Sequence, residues 1–409
     1  MIVPNRPKKK KFSKPRNQAL FLKKSESIAY TMLRRTISRQ FQRSQSTSTK
    51  GFWSDFSKRS PSLRIQNENI RKGLFEGIDE QGPASIKNSN IREIYHSPIA
   101  IDETFSEAYK ILEADASKKY GRLEKLQEEY TKIEDKSSTK ANSIKREIEE
   151  LQIETELRNP EVLYNIEYNS ADVIDKSQPI YRKLLKEKWK EHDLLLTMQR
   201  LEQLHVIPDT LPTLVPEADV KVKFSHNVEH EFRDWIAPGS ILPTFAVEKP
   251  PVVQVQEFDK VEGNERLYTV LLVNPDTPDL EKNSFSTTLH YALANVLLNN
   301  IDNTIDVSKL LNKGDKIVLK DYLPLTPEKN TPAQRACLWV FRQKNELQPT
   351  EITRENFDIR SFVESNNLLP IGAHVWRQQF DRSVNEIREK YGLDKGRVFY
   401  KERGLAPMP

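Results

Sequence analysis

The residues whose type and spacing could do chemistry are few in this chain. His226 and His230 lie four residues apart, a spacing that presents two imidazoles to a metal on a helix, but they leave a β-like run and no third ligand is evident. Cys337, the single cysteine, lies in an apolar run that predicts an inert core thiol. Gly-x-Ser-x-Gly and His-Glu-x-x-His are absent, and the twelve glycines are too scattered for a phosphate-binding loop. The sequence therefore predicts no enzyme, no metal site and no cofactor.

The basic charge is concentrated at the N-terminus. Residues 1–43 hold thirteen Lys and Arg against one acid, whereas the remaining chain has 51 basic and 58 acidic residues. The part of the chain after residue 43 therefore has a net negative charge and is not attracted to nucleic acid by its overall electrostatic field, although local basic patches can still bind it. The clusters at Lys183–Lys190 and at Arg377 with Arg382 are open to two interpretations, a solvated face or contact with RNA.

Two interpretations of the N-terminus compete. Lys8–Lys11 would suit a nucleic-acid arm, but residues 32–49 are Arg-rich, Ser-rich and free of acids. On a helix, Leu33, Ile37 and Phe41 share one side, which is typical of a mitochondrial transit peptide. We expect residues 1–49 to be an upstream segment followed by that peptide, with Met32 as the working start and a mitochondrial location.

Composition divides the remainder into four parts. Residues 50–101 predict an irregular segment that gains order on a partner, and residues 102–204 predict a helical arm in which Pro179 begins a last helix. Residues 205–400 are rich in proline and in short β-type runs, including an alternating VKVKF run and a near-continuous apolar run at Leu267–Val273. Residues 401–409 form a tail. The predicted fold class is α+β, a helical N-terminal extension before a β-rich domain.

The arm carries a narrow apolar stripe formed by Leu123, Leu126, Tyr130 and Ile133. A self-contained helical hairpin is one interpretation, with the polar run DKSSTKANS as its turn. The alternative, which we favour from the sequence, is an arm packed on another macromolecule, because the stripe is too thin for independent stability. The stripe is therefore predicted to be a partner-docking site.

Several motifs in the β-rich part resemble the phosphatidylethanolamine-binding proteins. They occur in the family's order across about residues 218–385, and they are WIAPG (235–239), LLVNPDTP (271–278), LHY (289–291), DYLPLTP (321–327), QRACLWVF (334–341) and FDIRSF (357–362). Each motif is weak by itself, but the set in this order is fairly specific. The resemblance implies the family's β-rich fold.

The resemblance also implies a ligand pocket that holds a phosphate or another anion with two carboxylates, two histidines and a tyrosine. Asp276 and His290 match the family, whereas Asn274, Gln334 and Ala336 replace an aspartate, a histidine and the tyrosine. Loss of these groups removes hydrogen-bonding and charged partners for an anion. We expect a degenerate pocket of doubtful binding, in which Asp276 and His290 form a buried structural pair.

The arrangement of the whole chain is similar to a fungal class of mitochondrial ribosomal proteins that have a phosphatidylethanolamine-binding-protein-like domain. This likeness implies a structural constituent of the large ribosomal subunit, a ribonucleoprotein component that supports mitochondrial translation. Its partners would be large-subunit proteins and, as an open alternative, rRNA, with no membrane span and no small-molecule substrate. The rival hypothesis is a mitochondrial anion-binding or inhibitory module that binds phosphate headgroups.

Overall fold

The structure is a computed structural model. It describes residues 51–55, 59–76, 86–95, 98–169, 173–225, 233–261, 266–307, 310, 317–348 and 352–400. The chain divides into two compact units, Met1–Arg59 and Ser60–Pro409. In the first unit a 3₁₀ turn at Phe52–Ser54 precedes Arg59, whose guanidinium donates to the carbonyl of Trp53 and lies 5.9 Å from the Phe52 ring. The predicted transit peptide and the C-terminal tail lie outside the described residues.

The second unit begins with helices and continues into two β-sheets, so the predicted α+β class is confirmed. The helices are α1 (Glu68–Glu76), α2 (Ser89–Ile94), α3 (Ile101–Thr131), α4 (Thr139–Glu156), α5 (Pro160–Tyr168), α6 (Pro179–Lys188), α7 (Leu194–Gln203), α8 (Val206–Asp209), α9 (Ile359–Ser365) and α10 (Val384–Lys390). Helices α1 and α2 fall in the segment that we expected to be irregular. Arg71 of α1 pairs with the buried Glu161 of α5, which gives α1 a partner within the chain.

Helices α3 and α4 form an antiparallel hairpin. The polar run between them is its turn, where the Ser138 hydroxyl caps α4 by accepting from the Ala141 amide at 3.2 Å. Helix α4 packs along α3 and then against α6, and its Ala141, Ile144 and Leu151 are buried. The structure therefore supports the interpretation of residues 102–156 as a helical hairpin, which was not the one that we favoured from the sequence.

The hairpin gives the predicted docking stripe a partner within the chain, while docking on another molecule through its half-buried residues stays a prediction. Leu123 is buried, while Leu126, Tyr130 and Ile133 are half-buried, all within this chain. The spacing correctly identified an apolar face but could not tell whether a neighbouring helix or another molecule covers it. Here the neighbouring helix α4 covers the face.

Helix α6 begins at Pro179, as predicted, and continues through a π-helical turn at Trp189–Asp193 into α7. Proline suits the first helical position because its missing amide needs no partner there. Tyr181, Trp189 and Leu201 are buried, as their spacing predicts. Leu195 is exposed although it is apolar, because it lies about a third of a turn from Leu201.

The β part consists of two sheets. The strands are β1 (Ala218–Lys223), β2 (Ile241–Leu242), β3 (Val252–Glu257), β4 (Arg266–Asp279), β5 (Ser284–Leu298), β6 (Thr304–Ile305), β7 (Val318–Lys320), β8 (Gln334–Arg342) and β9 (Leu369–Gln378). One sheet has the order β1-β3-β6 and the other β2-β9-β8-β4-β5-β7. Pairing is antiparallel except between β2 and β9.

The larger sheet is buried on both faces, which explains the near-continuous apolar run of β4. Leu272 and its neighbours on one face pack with Val220 and Val253 of the smaller sheet. Gly372 permits this close approach, because a Cβ there would lie 2.6 Å from a methyl group of Val220. Leu271 on the opposite face joins a second core with helical residues.

Leu201 of α7 belongs to this second core and is fully buried. The outer face of the larger sheet therefore depends on α7 and the segment after it for cover, and residues 205–400 do not form a closed β domain by themselves. The helical arm is thus part of the same folded body as the sheets.

Candidate functional site

An irregularity in β4 sets the position of Asp276. Asn274 pairs with Thr288 and Thr277 with Ser286, so Pro275 and Asp276 together oppose a single residue of β5. Proline has no amide to give to a ladder and is tolerated at such a bulge. The bulge turns Asp276 toward β8, where its carboxylate accepts from the Arg335 amide at 2.8 Å.

The two amide residues of the predicted pocket bind each other. Asn274 Nδ2 donates to Gln334 Oε1 at 3.0 Å, and Asn274 Oδ1 accepts from the Asp276 amide at 2.9 Å. Both side chains are buried. A neutral amide pair therefore stands where the family resemblance implies an acid and a histidine, and its polar atoms are committed to local structure.

Arg335 forms a clasp between β4 and the segment that follows α7. Its Nη2 and Nε donate to the two carboxylate oxygens of Asp276 at 2.5 and 2.8 Å. Its Nη1 donates to the Leu204 carbonyl at 2.7 Å and to Asp209 at 2.8 Å. Burial lowers the pKa of the guanidinium, but hydrogen bonds to Asp276 and Asp209 outweigh it and raise the pKa above its usual value. The clasp is therefore charged at every relevant pH.

His290 is bound elsewhere and does not pair with Asp276, contrary to our expectation. Its Nδ1 donates to the Leu323 carbonyl at 2.8 Å, and its buried Nε2 has no hydrogen-bond partner among the described residues. Burial lowers its pKa to about 4, against the smaller opposing effect of the Leu323 hydrogen bond. The imidazole is neutral near pH 7 and supplies no positive charge to an anion.

The segment after α7 is tied to the sheet at further points. Trp339 Nε1 donates to Thr210 Oγ1 at 3.0 Å, and Arg360 Nε donates to the Thr210 carbonyl at 3.0 Å. Arg360 Nη2 also donates to the Pro208 carbonyl at 2.6 Å. Residues 204–210, which we call the junction, are thus fixed on the rim of the predicted pocket.

The chemistry open to this site is limited. Asp276 is neutralised by Arg335, Asn274 is bound to Gln334, and Ala336 is fully buried and has no hydroxyl. An anion would have to compete with carboxylates for Arg335 and would gain no charge from His290. The arrangement stabilises the join between helices and sheet, and it has no free nucleophile paired with a base among the described residues.

Other candidate residues add no second site. His226 and His230 lie outside the described residues, and within the described ranges no group of three metal-ligating side chains is close enough to hold an ion. Cys337 is fully buried, as predicted, and burial raises the pKa of its thiol. Lys186 of the first basic cluster pairs with Asp259 at 3.2 Å, and Arg377 donates to the Gly239 carbonyl at 3.1 Å.

A cleft of about 300 Å³ lies away from the predicted pocket, beside the smaller sheet. Lys223 and Trp235 line it, with the Lys223 ammonium 4.5 Å from the centre of the Trp235 ring. None of the predicted pocket residues lines this cleft. Separately, no helix in the described part of the chain combines the length and apolar character needed to cross a bilayer.

The sheets and the remnant pocket define a phosphatidylethanolamine-binding-protein-like domain. Residues 232–386 match the family described as Phosphatidylethanolamine-binding protein. Among solved structures, the Phosphatidylethanolamine-binding protein from Plasmodium vivax is 16% identical, covers 45% of this chain and 98% of its own, and has a TM-score of 0.34. The putative odorant-binding protein A5 of Drosophila melanogaster is 23% identical over 205 residues, 48% of this chain and 86% of that protein.

A particular relative matches more of the molecule. Large ribosomal subunit protein mL38 of Schizosaccharomyces pombe is 29% identical over 293 residues, which cover 69% of this chain and 90% of that protein. A match of that extent is longer than residues 205–409 can supply, so it reaches into the helical region. The resemblance predicted from the sequence is confirmed, both for the family and for the ribosomal class.

Sequence reasoning missed the residues that complete the site. Arg335 lies inside a motif that we had quoted, but its partners Leu204 and Asp209 are more than 120 residues away. No local spacing signals such a contact. A charged residue beside Gln334 within an otherwise apolar strand was the available hint, since buried charges require partners.

Proposed function

We propose that this chain is a structural protein of the large subunit of the mitochondrial ribosome, and that its phosphatidylethanolamine-binding-protein-like domain no longer binds ligand. The observation that supports this most strongly is the similarity to a large ribosomal subunit protein, which extends from the β-rich domain into the helices. A stand-alone anion-binding module would need the sheets and the helix α7 that covers them, but not the hairpin of α3 and α4. The helices make sense if they are part of what the ribosome binds.

The condition of the pocket supports the same proposal. Its remaining carboxylate is held by Arg335, its two amides bind each other, and the junction lies fixed on its rim. These contacts support a structural role for the residues. We therefore propose that the protein is not an enzyme and has no small-molecule substrate.

We further propose that the N-terminal segment directs the chain to the mitochondrial matrix, where the ribosome would bind it. This proposal rests on the acid-free, Arg- and Ser-rich composition of residues 32–49. Residues 50–204 would provide most of the contact with the subunit. Large-subunit proteins are the expected neighbours, and rRNA contact through exposed lysines of α6 is the open alternative.

Sedimentation of the native protein tests the proposal. Mitochondria are lysed, ribosomal subunits are separated at low magnesium, and the chain is followed through the gradient. We expect it with the large subunit, together with loss of mitochondrial translation when the gene is deleted. A chain that sediments freely, and that binds phosphoethanolamine in calorimetry through His290, would instead support the anion-binding alternative.

A further inference from the structure

Helix α3 is much longer than the helix that covers it. It has 31 residues and α4 has 18. At a rise of 1.5 Å per residue, about 20 Å of α3 extends beyond its partner. Because α4 runs antiparallel from the turn at residues 132–138, the uncovered part is the N-terminal half of α3.

The apolar face of α3 continues into that uncovered half. Ala116 and Leu123 are buried where α4 is present. The same face continues toward the N-terminus through Leu112, Ala108, Phe105 and Ile101 at intervals of three or four residues, which lie on one side of a helix. Phe105 is 70% exposed, although α1 lies nearby with Phe75 edge-on to Tyr109 at 6.1 Å.

Additional apolar side chains widen this surface. Ile94, Ile99 and Ile101 just before and at the start of α3 are exposed, and Ile111, about a third of a turn away from Phe105 around the helix, is also exposed. Several large apolar residues so close together are uncommon on the free surface of a protein, and they indicate a binding site. We call the side chains of Ile101 and Phe105 the α3 surface.

The charges around the α3 surface restrict its occupant. From Glu103 to Asp115 the helix has four acids, Glu103, Glu107, Glu113 and Asp115, against one base, Lys110. Lys110 pairs with Glu107 at 2.7 Å and Lys119 pairs with Asp115 at 3.3 Å, but with both lysines counted the segment still has a net negative charge. RNA phosphates would be repelled by this segment, whereas a basic protein surface would be attracted.

We propose that the α3 surface binds a basic amphipathic helix of a neighbouring large-subunit protein, laid in line with α4. This inference rests on the proposed function and adds the surface and the chemical class of the partner. The geometry of α4 supports a helical occupant, because α4 already covers the adjoining stretch of the same stripe as a helix. The partner's apolar residues cover Ile101 and Phe105, while its Lys or Arg residues face Glu103 and Glu107.

Photo-crosslinking in the full-length protein identifies the occupant. A benzophenone amino acid replaces Phe105, the cells are irradiated, and the large subunit is purified. We expect a crosslink to a ribosomal protein at a Lys- or Arg-rich helix. A crosslink to rRNA, to another part of this chain or to a second copy of it overturns the proposal, as does no crosslink in a chain that sediments with the subunit.

Matched substitutions test whether the α3 surface contributes binding energy. The double variant Ile101→Ser with Phe105→Ser is compared with a control double variant, Phe285→Ser with Ile301→Ser. The side chains of Phe285 and Ile301 are 64% and 70% exposed in the β-rich domain. We expect the first variant to lower occupancy on the large subunit at least about tenfold at unchanged protein level, and the control to leave it within about twofold. Equal occupancy of the two variants overturns the proposal.

Reversal of the acidic charges on α3 distinguishes a basic protein from RNA as the occupant, because the two should change the binding affinity in opposite directions. The variant Glu103→Lys with Glu107→Lys should weaken binding if the occupant is basic and strengthen it if the occupant is RNA. Unchanged or stronger binding overturns the proposal. If the wild-type chain does not sediment with large subunits, the proposed function is wrong. If the wild-type chain does sediment with them but these variants do not behave as expected, only the inference about the α3 surface is wrong.

Discussion

The Arg335 clasp leads to a quantitative prediction about stability. Methionine in place of Arg335 retains an unbranched aliphatic side chain that can pack like the methylene groups of arginine, but it removes the guanidinium. Its bonds to Asp276, Asp209 and the Leu204 carbonyl are then lost together. We expect the free energy of unfolding to fall, and the junction to loosen before the sheets do.

The magnitude follows from how well each former partner can be solvated. The side chain of Asp209 is 45% exposed, so water can replace Arg335 there at little cost. The side chain of Asp276 is 21% exposed and still accepts a hydrogen bond from the backbone amide of residue 335 in the variant. The free-energy cost of leaving Asp276 without the guanidinium is therefore below the 3–5 kcal/mol typical of breaking a fully buried pair. With the Leu204 carbonyl included, we expect Arg335→Met to cost about 2 kcal/mol.

Urea unfolding of the full-length protein, followed by tryptophan fluorescence, measures this cost. The matched control is Arg64→Met, because the Arg64–Glu68 pair is exposed on both sides and should contribute below about 0.5 kcal/mol. Adding Asp276→Asn to Arg335→Met completes a double-mutant cycle. The double variant should be more stable than the sum of the two single costs implies, since it leaves no unpaired carboxylate.

Hydrogen exchange at the junction provides a local readout. The amides of His205 and Thr210, which donate to Glu202 and Val206 carbonyls, should exchange faster in Arg335→Met. If Arg335→Met is as stable as the Arg64→Met control, or if the two substitutions of the cycle are additive, the clasp does not hold the junction and the reasoning is refuted.

Burial lowers the pKa of His374 to about 4, as it does for His290, so both histidines bind protons more readily in the unfolded chain. The free energy of unfolding should therefore fall as the pH drops from about 6.5 to 4, by about 3 kcal/mol per histidine. In a plot of unfolding free energy against pH, the His290→Asn variant should show a shallower fall over this range. Calorimetry of the full-length chain with phosphoethanolamine should show no micromolar binding; such affinity, abolished by His290→Ala, would contradict the degenerate pocket. Leu123→Ser should lower the unfolding free energy of the isolated protein by about 2–4 kcal/mol, because the residue is core; an unchanged unfolding midpoint would return Leu123 to a docking role. N-terminal sequencing of mitochondrial protein should find processing after Met32, and a mature chain that retains Lys8–Lys11 would contradict the transit peptide.

The sequence predicted elements better than contacts. Leu267–Val273 was expected in the middle of a core, and β4 lies there because both faces of its sheet are covered. Pro179 correctly predicted the start of a helix. These features depend on local chemistry, that is, on periodicity, on branched side chains and on the missing amide of proline.

The errors concern partners that lie far apart in the chain. Spacing showed that Leu123 is on an apolar face but not that α4 would cover it. Asp276 and His290 were expected to pair, and they do lie on neighbouring strands. The bulge turns Asp276 to Arg335, however, and His290 binds Leu323. Backbone irregularities of this kind redirect single side chains without changing the hydrophobic pattern, so the sequence alone does not reveal them.

The burial of Leu201 beneath the larger sheet has a consequence for the order of folding. Helix α7 precedes every strand that the structure describes, so it is synthesised before β4 and β8. Its apolar side is then already available as a template when the outer face of the sheet forms. A chain that begins after α7 would lack that template, and we expect it to present Leu271 and Trp339 to solvent and to aggregate more readily. The order of elements thus protects the sheet during biogenesis, before any ribosomal partner is met.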